Sequence, residues 1–260
     1  MKKLFTFCIA LLALFVSAQD LSAQYYKTYE TEDTQLHTGF DVGGKFSERW
    51  GMNFGTEFYY GNNMSEYQKV YARLMVDYYL LPNLRLSPMV MQVVNQKTAA
   101  VTMIYDFNVI YTHRINKLSL TLRGGSRMQE AMGVKPKRDL QVHSNPEYML
   151  RGHIAMGYRV MSWLEPFANI EAFYLLNPAT DFRDDPEWYK IYDVGHYLPR
   201  VRSNVGVKFH VSKNSTIDLY WRYDHTKSKY LSYEIADTDF GIITKDSFVN
   251  FVGIFYHQKF

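Results

Sequence analysis

Charged residues recur at every second position through several stretches of this 260-residue chain. Asp218, Arg222 and Asp224 alternate with Ile217, Leu219, Trp221 and Tyr223. Arg151, His153 and Arg159 alternate with Leu150, Ile154, Met156, Tyr158 and Val160. Lys69, Arg73 and Asp77 oppose Val70, Ala72, Leu74, Val76 and Tyr78, and Arg123 opposes Leu118, Leu120 and Leu122. A period of two puts one set on each face of a strand. Asp41, Glu57, Asp106, Glu171, Arg202 and Lys208 take the polar parity of other strands. Gathered inside a closed sheet, such residues would either pair with one another and fill the lumen, or line a narrow hydrophilic passage constricted by Arg and Glu. Charge in a dry lumen is costly, so pairing or water must accompany it.

Other chemistry finds less support. A lipid-modifying enzyme needs a nucleophile beside its base, and His143-Ser144-Asn145 is the one suggestive run. Adjacent residues of a strand point to opposite faces, so His143 and Ser144 are poorly placed for that work, and no catalytic residue is assigned. The eight histidines are scattered without metal-ligand spacing. Asp181, Asp184, Asp185 and Glu187 cluster without an EF-hand register, so no metal site and no cofactor are expected. Arg127, Lys135, Lys137 and Arg138 make the segment 126–147 basic, which on an outer face would suit lipopolysaccharide phosphates.

The elements that must position these residues are strands. Eleven stretches read as such: 36–46, 50–60, 69–80, 84–94, 101–112, 117–125, 148–160, 164–175, 201–211, 216–225 and 247–260. Bacterial single-chain barrels have even strand numbers, so Tyr25–Glu32 is expected as a twelfth, with ten as the alternative. Connections alternate between short ones, such as Leu81-Pro82-Asn83, and longer ones at 61–68, 95–100, 126–147, 176–200 and 226–246. Short periplasmic turns and longer extracellular loops are characteristic of transmembrane β-barrels. Trp50 and Trp163 start strands beside short turns, at the height of an interfacial aromatic girdle. A soluble barrel would bury the apolar face instead, leaving mixed charge outside on nearly every strand.

Export is read from the N-terminus. Lys2 and Lys3 precede an apolar run from Leu4 to Val16 and a Val16-Ser17-Ala18 cleavage site, with Leu21-Ser22-Ala23 as a second site. The run is too short for a membrane helix, so 1–18 (or 1–23) is expected to be a cleaved signal peptide and 24–260 the barrel. The sole cysteine, Cys8, lies within it, which removes disulfides and thiolate chemistry from the mature chain. Tyr (22) and Phe (17) are abundant and mean hydropathy is −0.29, as suits aromatic-rich strands rather than apolar helices. Without Lys2 and Lys3 the formal charge falls from +3 to about +1, and nothing in that balance points to nucleic acid.

The hairpin over 40–60 with Lys45-Phe46-Ser47-Glu48-Arg49-Trp50 at its turn, the strand Tyr71-Ala72-Arg73-Leu74-Met75-Val76-Asp77-Tyr78, Leu122-Arg123 and the closing strands resemble the DUF2490-type family of uncharacterised outer-membrane barrels of Bacteroidota. The resemblance covers nearly the whole mature chain and implies fold and location, without catalytic residues. Val252, Ile254, Tyr256 and Phe260 share one parity of the last strand, and this resembles the signal read by the outer-membrane barrel assembly machinery. The expectation is an all-β, antiparallel up-and-down transmembrane barrel in the outer membrane, in contact with its lipid and lipopolysaccharide. It would serve as a non-enzymatic narrow channel, an envelope scaffold or a partner-binding barrel. A phospholipase- or deacylase-type enzyme is the alternative.

Overall fold

Alternating stretches rich in Val, Ile, Tyr and Phe form strands because branched and aromatic side chains pack well on a pleated surface. The structure, a computed structural model, describes residues 26–96, 98–132, 146–177, 196–232 and 241–260. Eleven strands occur among them: β1 (Tyr26–Lys45), β2 (Trp50–Gly61), β3 (Glu66–Leu81), β4 (Leu84–Asn95), β5 (Val101–Ile115), β6 (Leu118–Met132), β7 (Glu147–Tyr158), β8 (Leu164–Leu175), β9 (Arg200–His210), β10 (Ser215–Ser232) and β11 (Gly241–Lys259). Each pairs with its sequence neighbours, and β1 meets β11 to close a barrel. No helix of the described residues is long and apolar enough to cross a membrane, which says nothing of strands.

The expected count of twelve strands, or ten, is corrected to eleven among the described residues. Tyr25–Glu32 is not a separate strand, because Tyr26 onward runs without interruption into Lys45. Thr31-Glu32-Asp33-Thr34-Gln35 is polar but holds no Gly or Pro to turn the chain. An odd count makes the first and last strands run in the same direction. The closure is therefore parallel, from Tyr26 opposite Ile242 to Gly43 opposite Lys259, while all other pairs are antiparallel.

Longer strands than expected also shorten several connections, since β6 runs on to Met132, β10 to Ser232 and β11 begins at Gly241. Extended β2 and β3 leave only 62–65 between them, whereas β4 and β5 are separated by 96–100, close to the expected 95–100. Asn62, Asn63 and Met64 take φ of 50°, 53° and 68° in that first turn, a left-handed conformation that Asn tolerates best among non-glycine residues. At β4, Pro88 lies within the strand and faces outward. The ladder to β3 passes from Met75–Met89 to Tyr78–Leu86 with no pairing opposite Pro88, since proline has no N–H to give.

The two faces of the wall are chemically distinct. On the outward parity, no Asp, Glu, Lys or Arg occurs over 36–44, 50–60, 70–80, 84–94, 101–113, 118–128, 148–158, 164–174, 201–209, 217–223 or 248–258. Phe54, Leu74, Phe107, Met156, Ile170, Val205, Trp221 and Ile254 are all exposed there. Aromatic contacts sit at both ends of this belt: Trp50–Tyr78 and Trp163–Phe209 by the short turns, Tyr60–Tyr67 and Tyr223–Phe248 by the other rim. Inside, glycines admit large rings against the wall. The Tyr220 ring lies over Gly253, and the Phe255 ring over Gly39, where a Cβ would otherwise stand.

Two outcomes test this architecture. In a background lacking Cys8, a Thr38→Cys/Ile254→Cys pair should cross-link on mild oxidation and change gel mobility, because Thr38 faces Ile254 across the parallel closure. Thr38→Cys with Phe107→Cys, on distant strands, should not. Gly253→Val should destabilise the barrel by about 1–3 kcal/mol through overpacking beneath Tyr220. Gly124→Ala, with open space at its Cβ position, should be neutral or slightly stabilising in the same urea titration.

Candidate functional site

A closed antiparallel wall brings residues of the inward parity into register, so that charges far apart in sequence become cross-strand neighbours. Asp106 faces Arg127 across β5 and β6, Glu171 faces Arg202 across β8 and β9, and Arg202 in turn faces Asp224 on β10. The interior is built in tiers from these pairs.

The tier nearest the short turns centres on histidines. His257 lies between Asp41 (Nδ1···Oδ1 2.9 Å) and Asp218 (Nε2···Oδ2 3.2 Å), and Lys208 Nζ approaches Asp218 at 3.6 Å. His210 Nε2 meets Glu165 at 3.0 Å, with Arg159 3.5 Å from the same carboxylate. Arg159 stands at the edge of the expected lumen-lining set, its Nη2 also 3.0 Å from His210 Nε2. It lies beyond the end of β7 with its side chain 46% exposed, because the strand stops at Tyr158 and the turn carries Arg159 to the rim.

The middle tier crosses the barrel. Arg73 donates to Asp41 at 3.0 Å and to Glu57 at 2.8 Å. Glu57 also accepts from Tyr59 OH (2.9 Å) and contacts His37 Nε2 (3.1 Å), while His37 Nδ1 bonds Tyr220 OH. Arg222 donates to Asn204 Oδ1 at 2.7 Å and to the hydroxyls of Tyr59 and Tyr220. Glu57, His37 and Tyr220 have the order of an acid–base relay. His37, however, is only 1% exposed and stacks on Tyr59, and the relay ties β1, β2 and β10 together across the closure.

The third tier is a ladder of arginines and carboxylates. Arg127 grips Asp106 with two bonds of 2.7 and 2.8 Å. Arg151 lies opposite Gly125 and reaches across β6 to the same carboxylate, while its Nε donates to Glu171 at 2.6 Å. Glu171 also takes Arg123 at 2.6 Å and Arg202 at 3.2 Å. Asp224 receives Arg200 and, at 3.4 Å, Arg202. Phe173 closes this tier from above, with the guanidinium carbons of Arg127 and Arg151 at 4.8 and 5.5 Å from its ring centre. Met149, Leu175 and Tyr197 pack around Phe173 toward the long-loop end. Asp77 stands apart from the tiers, bonded to Ser87 and 3.2 Å from Arg85.

A cavity of about 480 Å³ remains inside the barrel. One wall presents Arg123, Arg127, Arg151, Arg200 and Arg202, and the other Met89, Met91, Val93, Ile104 and Ile110. Two of those arginines fall within the expected connections 126–147 and 176–200. Arg127 continues the inward parity of Arg123 through Gly124 and Gly125, and Arg200 opens β9. The apolar wall was missed as well, although the inward parity of Asp106 already implied Ile104 and Ile110. The His143-Ser144-Asn145 run, the acidic cluster at Asp181, Asp184, Asp185 and Glu187, the basic residues Lys135, Lys137 and Arg138, and the expected signal peptide lie outside the described residues. Among those described, no group of three or more His, Cys, Asp or Glu side chains could hold a metal ion.

Glu171, 3% exposed and shared by three arginines, is the hub of the ladder. Glu171→Gln should cost about 3–5 kcal/mol, as expected when one member of a buried ionic cluster is removed, measured as a lowered urea midpoint. Comparison with known proteins bears on the whole wall. The profile of the family described as "Protein of unknown function (DUF2490)" matches residues 34–230, from within β1 to within β10. No curated protein matches the chain. Among solved structures, one of the NanC porin in a rhombohedral crystal form is similar with a TM-score of 0.44 and 10% identity, covering 74% of this chain and 87% of that one. That likeness is too distant to carry an argument. The family match does carry one, and on it the chain belongs to the DUF2490 family of proteins of unknown function.

Proposed function

We propose that the protein is an outer-membrane barrel, exported by the signal peptide at 1–18, whose nearly filled lumen forms a narrow, anion-favouring passage without enzymatic activity. The observation that carries this reading is the separation of chemistry between the two faces of one wall. Between its aromatic ends the outward parity is free of Asp, Glu, Lys and Arg on every described strand, while the inward parity holds the ion-pair tiers. In water such a belt would leave far more contiguous apolar surface than a soluble monomer normally exposes. In hydrocarbon it meets its preferred surroundings, and Trp and Tyr at both ends suit the polar–apolar boundaries. The four to seven outward residues per strand match the roughly 25 Å apolar band of such barrels.

Selectivity follows from the interior. The cavity is lined by Lys69, Arg73, Arg85, Arg123, Arg127, Arg151, Arg200 and Arg202 against Asp41 and Glu57. A cationic constriction with low-dielectric walls attracts anions and repels cations. The tiers above and below leave no wide channel, so conductance should be small. Contact with lipopolysaccharide at the outer rim, and recognition of β11 by the assembly machinery, belong to the same reading.

Purified protein should require detergent and migrate differently on gels before and after heating. Solubility without detergent and unchanged migration would remove the membrane reading. In planar bilayers a small conductance should appear with Cl⁻ favoured over K⁺. Arg200→Gln, at the partly exposed upper edge of the ladder (30% exposed), should lower that preference. Release of fatty acid from the lipid, in the absence of any conductance, would instead establish the enzymatic alternative.

A further inference from the structure

The interior arginines outnumber the carboxylates that hold them. Among the described residues, Arg123, Arg127, Arg151, Arg200 and Arg202 share only Asp106, Glu171 and Asp224. Arg222 adds another cation, and its bonds go to Asn204, Tyr59 and Tyr220, which are all neutral. Within the ladder, pairing leaves donors over. Arg127 uses Nε and Nη2, which leaves Nη1; Arg151 uses Nε and Nη1, which leaves Nη2. Arg123 uses Nη2 alone, and its buried Nε has no partner. These fixed guanidiniums form the cationic wall of the 480 Å³ cavity. Excess buried positive charge is unfavourable on its own, and planar guanidiniums with spare donors match the oxygens of a carboxylate, phosphate or sulfonate.

The adjoining wall, where Ile110 of β5 pairs in register with Arg123 of β6, has another character. Met89, Met91, Val93, Ile104 and Ile110 occupy the inward parity of β4 and β5, and Met91, Val93 and Ile104 pack as a cluster with Tyr71 and Met89 against it. An ion passage has no need of such a surface, since water and small inorganic ions gain nothing from it. A pocket of this volume, with one apolar side and a few convergent polar groups, has the makeup of a small-molecule site.

We propose that this cavity binds a small soluble organic anion, its acidic group on the Arg123–Arg127–Arg151 wall and its hydrocarbon or aromatic body on Met91, Val93 and Ile104. The proposal rests on the reading of the lumen as an anion-favouring passage and names the class of solute that the passage recognises. Both walls converge on one compact volume, so the ligand is an acid with a body of a few carbon atoms rather than a bare ion or a long acyl chain.

Calorimetric titration of the full-length protein in detergent, with protein-free micelles as blank, tests it using hexanoate, acetate and hexylammonium. Hexanoate should saturate and bind at least about tenfold tighter than acetate, reflecting its buried methylenes. Hexylammonium should show no saturable binding. Arg123→Gln should weaken hexanoate by about tenfold or more, as expected for a lost charge-assisted contact. Ile104→Thr should narrow the hexanoate-to-acetate ratio several-fold while leaving acetate unchanged. Heat-modifiable migration reports folding of both variants, and if Arg123→Gln does not fold, Ile104→Thr decides alone. Equal affinity for hexanoate and acetate, equal binding of hexylammonium, or no change of the ratio in Ile104→Thr would overturn the proposal. Anion-selective conductance without a hexanoate site would leave the passage standing and remove the ligand; a hexanoate site in a barrel that passes no current would do the reverse.

Discussion

Three guanidiniums converge on the Glu171 carboxylate, and the interior depends on that meeting. Arg123 comes from β6, Arg151 from β7 and Arg202 from β9, while Glu171 stands on β8. A single buried carboxylate thereby ties four successive strands from the inside, in addition to their backbone ladders. Arg151 extends the tie to Asp106 on β5 and Arg202 extends it to Asp224 on β10. Charges removed from water need partners of good geometry, so the ladder tolerates little slippage. A shift of one residue in any of these strands would turn its charges outward and its apolar residues in.

Closure by eleven strands imposes a second constraint. Ten antiparallel contacts and one parallel contact complete the ring, and the parallel one runs nearly the full length of β1. It places Asp41 directly opposite His257 and Gly39 opposite Phe255. The Asp41–His257–Asp218 bridge, and through Arg73 the link to Glu57, exist because β1 and β11 meet in this sense and register. The interior network and the odd strand count are thus one arrangement.

Much of this was legible in the chain and some was not, for identifiable reasons. Strong alternation located the inward charges of Asp218 and Arg222, Arg151, Arg123, Arg73 and Asp77, since a two-residue period needs no knowledge of neighbours. Strand ends were less legible. Arg159 keeps the inward parity one residue beyond β7, with its N–H still bonded to Lys117 O, and so reaches Glu165 from the rim. Arg127 and Arg200 fall at the edges of the longer connections 126–147 and 176–200, and strand ends there are set by cross-strand pairing that the sequence does not record. The continuity of 26–32 with 36–45 is hidden in the sequence because a polar run on a tall wall looks like a connection. The apolar inward side chains of β4 and β5 defeated the simple rule that inward means polar. Their partners are one another and Tyr71 on adjacent strands, a grouping that appears only once those strands pair.

By itself the sequence determined the period of two, the uncharged outward parity, the supply of aromatics at strand ends and the set of charges available to the interior. These are properties of single strands, set by the alternation of side chains along an extended backbone. The tertiary structure alone decided the strand count, the parallel closure, the partner of each charge and the meeting of an arginine wall with an apolar wall around one cavity. Those depend on register and on contacts between residues far apart in the chain, as between Tyr59 and Arg222 or Asp41 and His257. Such distances become short only when the sheet has closed.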